Sequence, residues 1–122
     1  MGLSVVVLQE DPNVAQSLIG GLRSYFHAVY LANSRDELRE KLAKKRAEAV
    51  VVDIETSRLS DVQNLHHEFP HVPIVCTHRI PDEDMWMTAL DAGAADVCPA
   101  SDVDSVLTSL LRNLSVSQSV AA

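Results

Sequence analysis

The chain is short of cysteine, of long apolar runs and of cations, and each shortage removes a class of function. Cys76 and Cys98 are its only two cysteines, too few for the disulfide framework that staples small secreted domains, and both lie inside apolar runs. They read as buried thiols rather than redox centres or metal ligands. No apolar stretch approaches the roughly 20 residues that cross a bilayer, and the N-terminus lacks the basic flank, apolar core and small-residue cleavage site of a secretory signal. The expectation is a cytoplasmic chain with no membrane contact. Ten Lys and Arg stand against 17 Asp and Glu, a net charge of -7. That balance argues against direct nucleic-acid binding, which needs clustered cations to displace counterions from phosphate. No glycine fingerprint follows the first apolar run to admit a pyrophosphate, and no nucleophile-elbow pattern is present. A nucleotide cofactor is therefore unexpected, and the chain is not expected to be an enzyme. At 122 residues and 47% apolar, there is room for one domain with one sizeable core.

What is present is an apolar run that ends abruptly in acids. Residues 3–12, Leu-Ser-Val-Val-Val-Leu-Gln-Glu-Asp-Pro, read as a buried parallel strand stopping at two carboxylates and a proline. Ala49-Val50-Val51-Val52 ends the same way at Asp53. Ligands of an open α/β sheet collect beyond the carboxyl ends of its strands. Glu10 and Asp53 thus stand where chemistry would occur, and neighbouring strands would bring them to one small pocket suited to a cation or a phosphoryl group.

Helical and strand patterns alternate along the rest of the chain. Pro12 opens a helix with the stripe Val14, Leu18 and Leu22, and residues 27–32 read as a second strand. Ser34 followed by Glu37 reads as a capping box for a helix carrying Leu38 and Leu42. Six of the ten basic residues lie from Arg35 to Arg46, and the pairs Glu37/Lys41 and Glu40/Lys44 make this a solvated face rather than a contact patch. A short helix with Val62, Leu65 and Phe69 ends at Pro70, and residues 73–77 form a fourth strand. A helix over 81–92 closes at Gly93 as a left-handed cap, and residues 94–98 form a fifth strand. Ser101 or Asp102 caps a last helix with Val103, Val106, Leu107, Leu110 and Leu114 facing inward. The domain is expected over 1–114, with the small, polar stretch 115–122 as a flexible tail or the start of a linker. Five βα units with right-handed crossovers make a doubly wound α/β domain with a parallel five-stranded sheet. The flavodoxin-like order 2-1-3-4-5 fits, because it sets the first and third strands side by side.

Two further clusters stand out. His66, His67, His71 and His78 are dense, but His66 and His67 are adjacent on a helix and cannot face one ion, so zinc is not expected. Met85, Trp86 and Met87 are consecutive on one helix and cannot all face the core. At least one is expected to project outward as a partner surface.

With these residues in place, the chain resembles the receiver domain of response regulators, the modules of two-component phosphorelay signal transduction, over essentially its whole length. That family carries two adjacent acids after the first strand, a phosphoacceptor Asp after the third, Thr or Ser after the fourth and Lys after the fifth. Here the acid pair falls on Gln9 and Glu10, with Asp11 behind them. Asp53 occupies the phosphoacceptor position, Thr77 the phosphoryl-contact position, and the Gly93-Ala94-Ala95-Asp96 turn is also like the family's. The resemblance implies Mg²⁺ held by Glu10, Asp53, the backbone carbonyl of Glu55 and, as a further candidate, Asp11. That binding is expected to be weak, because Gln9 removes one negative charge.

Other positions depart from the pattern. The Lys position falls on Ala100 and the Pro after it on Ser101, and Val97 stands where the family has Tyr or Phe. The link after Asp53 is short and lacks the family's Pro and Gly. The expectation is an atypical, degenerate receiver acting through protein–protein contacts. A histidine kinase or an output domain is the implied partner, and a homodimer through the last two helices and the fifth strand the implied assembly. One alternative is a fully functional receiver phosphorylated on Asp53, with Arg79 swinging in for the missing cation. Another is a small-ligand or metal-binding α/β module built on the Glu10/Asp53 cleft.

Overall fold

A computed structural model describes residues 3–55 and 57–121, with side chains as far as residue 114. Strands and helices alternate throughout: β1 (Ser4–Leu8), α1 (Pro12–Leu22), β2 (Ala28–Ala32), α2 (Arg35–Lys45), β3 (Ala49–Asp53), α3 (Leu59–Glu68), β4 (Ile74–His78), α4 (Glu83–Ala92), β5 (Asp96–Pro99) and α5 (Val103–Ala121). All strand pairings are parallel and the sheet order is β2-β1-β3-β4-β5. This is the flavodoxin-like arrangement that the alternating pattern implies.

The sheet is buried on both faces, which is why its central strands are runs of valine rather than alternations. Val6, Leu8, Val50, Val52, Ile74 and Cys76 face α2, α3 and α4, joining Leu38, Leu42, Val62, Leu65 and Ala89. Val5, Val7, Ala49, Val51, Val75 and Cys98 face α1 and α5, joining Leu18, Leu22, Val106 and Leu110. Cys76 and Cys98 are thus buried on opposite sides of the sheet. Desolvation pushes the Cys76 thiol up to about 12 and raises that of Cys98 as well, so neither is poised as a thiolate.

Side-chain caps start four of the five helices, α3 being the exception. Asp11 caps α1, Ser34 caps α2, Asp82 caps α4, and Asp102 accepts the Ser105 N–H at the start of α5 at 3.1 Å. The capping box read at Ser34 is half formed: Ser34 Oγ accepts the Glu37 N–H at 3.1 Å, while the Glu37 carboxylate turns to Lys41 at 3.2 Å. The second helical pair, Glu40 and Lys44, closes at 2.8 Å. α4 begins at Glu83 rather than at Pro81, because Asp82 is the cap. β5 begins at Asp96 rather than at Ala94, because the Ala94 N–H is spent on the Ala89 carbonyl at the end of α4, 3.0 Å away. Helical backbone in α5 runs on to Ala121, so the boundary read at residue 114 falls inside this helix.

Two ion pairs fasten α2 to α3. Arg39 grips Glu68 with two bonds of 2.7 and 2.6 Å, and Arg35 reaches Asp61 at 2.6 Å. Asp61 is buried and also accepts the Arg58 N–H at 3.1 Å. Burial alone would push its carboxyl up, but the Arg35 guanidinium and the Arg58 amide outweigh it and hold the group below the ordinary carboxylate range. A depressed carboxylate contributes stability that is complete above its unfolded value, about 3.9, and is lost as pH falls through the folded value. Asp61→Asn is therefore expected to cost about 1 kcal/mol at pH 7 and to flatten the loss of stability below about pH 4. Urea unfolding across pH 2.5 to 7 reads both effects, and an unchanged acid limb would remove Asp61 from the account.

Candidate functional site

The carboxyl ends of β1, β3 and β4 open into a cleft of about 470 Å³, lined by Gln9, Glu10, Asp53, Glu55, Arg79 and Ala100 among others. Parallel register makes it. β1 pairs with β3 through Leu8 and Val52, two residues before Glu10 and one before Asp53, and Asp53 lies opposite Thr77 across β3 and β4. The Thr77 hydroxyl donates to Asp53 Oδ1 at 3.2 Å, and the two residues are 0% and 4% exposed. Glu10 stands exposed on the rim.

The other polar groups of the cleft are engaged locally. Gln9 is buried, and its Oε1 accepts the Asp11 N–H at 3.1 Å. Asp11 Oδ1 accepts the Asn13 and Val14 N–H groups at 2.9 and 3.3 Å, so this carboxylate serves the N-terminus of α1. Glu55 is bound by Arg79, whose backbone N–H donates at 2.5 Å and whose Nε lies 3.1 and 3.3 Å from the two oxygens. The Arg79 amide first, with the guanidinium and His78 behind it, holds the Glu55 carboxyl below its ordinary value. The structure thus places Arg79 on the rim, paired to Glu55. Ala100 is 4% exposed and forms part of the wall, with its N–H donated to the His78 carbonyl at 2.9 Å.

For a divalent cation this is a reduced donor set. Among the described residues no three His, Cys, Asp or Glu side chains come together in a group that could hold a metal. Mg²⁺ keeps several waters and often takes only one or two carboxylates. Glu10 and Asp53 are two carboxylates that border the cleft.

This frame of five βα units is shared with known structures. A response regulator from Thermotoga maritima superposes with a TM-score of 0.84 at 21% identity, covering 94% of this chain and 99% of that one. This is a receiver fold. A CheY-like receiver domain protein from Methanospirillum hungatei JF-1 gives a TM-score of 0.84 at 14% identity and covers 98% of each chain. A CheY-like protein (tadZ) from Pseudomonas aeruginosa PAO1 gives 0.76 at 26% identity, covering 92% of this chain and 98% of that one. No protein-family model matches the sequence, and no curated protein matches it.

Sequence reasoning missed one polar centre of this receiver fold. Asp96 Oδ1 accepts the Trp86 Nε1–H at 3.1 Å and the Val97 N–H at 2.8 Å, while Oδ2 accepts a short bond from the Ser109 hydroxyl. One carboxylate therefore ties α4, β5 and α5 together. The only hint in the sequence was that an indole N–H seeks an acceptor. Of the three residues read as a partner surface, Met85 is half-buried, whereas Trp86 and Met87 are 41% and 54% exposed. His66, by contrast, packs against Gly93 as part of the α3–α4 contact.

Proposed function

We propose that this chain is a receiver domain of the response-regulator type, in two-component signalling, whose phosphorylation chemistry is impaired and which acts mainly by binding other proteins. The observation that carries the reading is Ala100, a methyl group in the wall of the acid cleft where a positioned cation would be needed. In transfer to Asp53, a carboxylate oxygen bonds to phosphorus as the bond from phosphorus to the donor's leaving group breaks. The transferring oxygens carry negative charge into a cleft bordered by Glu10, Asp53 and Glu55. The Thr77 hydroxyl, now turned to Asp53, can donate to one of those oxygens. Arg79 is the nearby cation, and it is committed to Glu55. A Mg²⁺ ion would be held weakly by Glu10, Asp53 and the Glu55 carbonyl and, when bound, would offset part of this charge. The domain is not itself an enzyme. Its setting is cytoplasmic and its partners are a histidine kinase or an output domain; among the described residues no helix is long and apolar enough to cross a membrane.

A working phosphoacceptor is the second reading, favoured by the Asp53–Thr77 pair and by Arg79 at the rim. Incubation with Mg²⁺ and acetyl phosphate, followed by intact mass, separates the two. Little or no phosphoryl adduct is expected. Rapid, near-stoichiometric adduct that Asp53→Asn abolishes would establish the second reading instead.

A further inference from the structure

The fourth helix has little apolar hold on the sheet. Its buried side chains reduce to Ala89, a single methyl group, whereas α1 buries Ala15, Leu18 and Leu22 and α3 buries Val62 and Leu65. Its two ends are also held unequally. At the C-terminus Gly93 packs directly against His66 of α3, while the link that enters the N-terminus from β4 carries Ile80 with 81% of its surface exposed. The first half of α4 is tied by a polar bond instead: the Trp86 Nε1–H donates to Asp96 Oδ1 at 3.1 Å.

The same carboxylate holds α5. Asp96 Oδ2 accepts the Ser109 hydroxyl and lies 3.9 Å from Cys98 Sγ, while Oδ1 also accepts the Val97 N–H at 2.8 Å. Ser109 and Cys98 are 4% and 3% exposed, and Ser109 Oγ lies 3.5 Å from Cys98 Sγ. A half-buried carboxylate keeps one orientation while both oxygens keep their donors, and donors on the two oxygens reinforce one another. When the indole leaves, the carboxylate is free to turn toward water. The Ser109 hydroxyl, too buried to follow, is then left with the Cys98 sulfur, a weak acceptor.

We infer that Asp96 is a clasp coupling α4 to α5: freeing the Trp86 indole loosens the packing of α5 over Cys98, and loosening α5 at Ser109 frees the indole. Cys98 sits beneath Val106, Leu110 and Leu114 of α5, so its accessibility reports that packing. The coupling runs both ways by thermodynamic necessity, and its physical carrier is one side chain with a closed and an open arrangement. The inference goes beyond the proposed role as an interaction module and is independent of whether Asp53 takes up phosphate.

The natural domain and Trp86→Phe, which keeps an aromatic ring and loses the donor, are exposed to iodoacetamide for timed intervals. Peptide mass then separates modification of Cys98 from that of Cys76, which is buried on the other side of the sheet. Trp86→Phe is expected to raise the Cys98 rate about tenfold and to leave Cys76 unchanged. Met87→Ala, an exposed position on the same helix, should change neither. In the other direction, Ser109→Ala is expected to shift the emission of Trp86, the only tryptophan, to the red and to raise its quenching by acrylamide. Far-ultraviolet circular dichroism confirms that each variant is folded, and if Trp86→Phe does not fold, Ser109→Ala decides the matter alone. Equal acceleration at both cysteines would mean general loosening rather than a clasp. An unchanged Cys98 rate in folded Trp86→Phe, or unchanged Trp86 emission in Ser109→Ala, would mean that α4 and α5 move independently, and each of these results overturns the inference.

Discussion

Ala100→Lys is expected to raise the initial rate of phosphoryl uptake on Asp53 by about a hundredfold or more over the natural domain. Comparable preorganised donors are worth about 3 to 4 kcal/mol when they meet charge developing in the transition state, which is two to three orders of magnitude in rate. Ala100 lines the same cleft as Asp53, Glu10 and Glu55, so a lysine there extends into a pocket of carboxylates. Its ammonium is the one counter-charge that Arg79, bound to Glu55, does not supply. Ala100→Met adds a chain of similar length without the charge and separates filling the wall from neutralising it. Intact mass after timed exposure to Mg²⁺ and acetyl phosphate is the measurement. Equal rates for the Lys and Met variants would show that the missing cation is not what limits transfer, and would return the cause to Gln9 or to the short link after Asp53.

Gly93→Ala is expected to cost about 3 kcal/mol of stability and to lower the melting temperature by about 10 °C. Gly93 ends α4 in the left-handed region at φ +112°, where a Cβ is strained. A Cβ there would also lie 2.5 Å from Cγ and 2.7 Å from Cβ of His66 on α3, atoms too close to their own backbone to move aside. His66→Ala in the same chain should recover the steric part and leave the backbone part. Gly20→Ala is the control: it sits inside α1 with nothing within 4 Å of the new methyl group. It should be neutral or stabilising by about 0.5–1 kcal/mol. Thermal and urea unfolding of the three variants decide the matter, and a Gly93→Ala melt close to that of the natural domain would mean that α3 and α4 are not locked at this point.

Much of this was legible in the residues because it is local. The valine runs of β1 and β3 read as strands buried on both faces, and Ser34 and Asp102 as helix caps by residue type and position, whereas the caps Asp11 and Asp82 emerged only in the structure. Gly93 marked the end of α4 because no other residue suits that φ. The flavodoxin-like order was chosen because it sets the first and third strands side by side, and with it came the presence of Glu10 and Asp53 on one cleft. The small errors have equally local causes, such as Ala94 giving its N–H to the end of α4 before β5 can begin.

The sequence by itself determined the architecture, the acids at the strand ends and the alanine in place of a cation. Only the tertiary structure decided what those groups do with one another. Thr77 meets Asp53, and Arg79 meets Glu55, across 24 residues of chain, and Trp86 meets Asp96 from helix to strand across ten. The same is true of Asp61, drawn below its ordinary pKa by an arginine 26 residues away on another helix. Periodicity says which face a residue occupies, but partners on adjoining elements are set by register and helix packing to within an ångström. Hydrogen bonds and ion pairs respond to that last ångström, and it belongs to the folded chain alone.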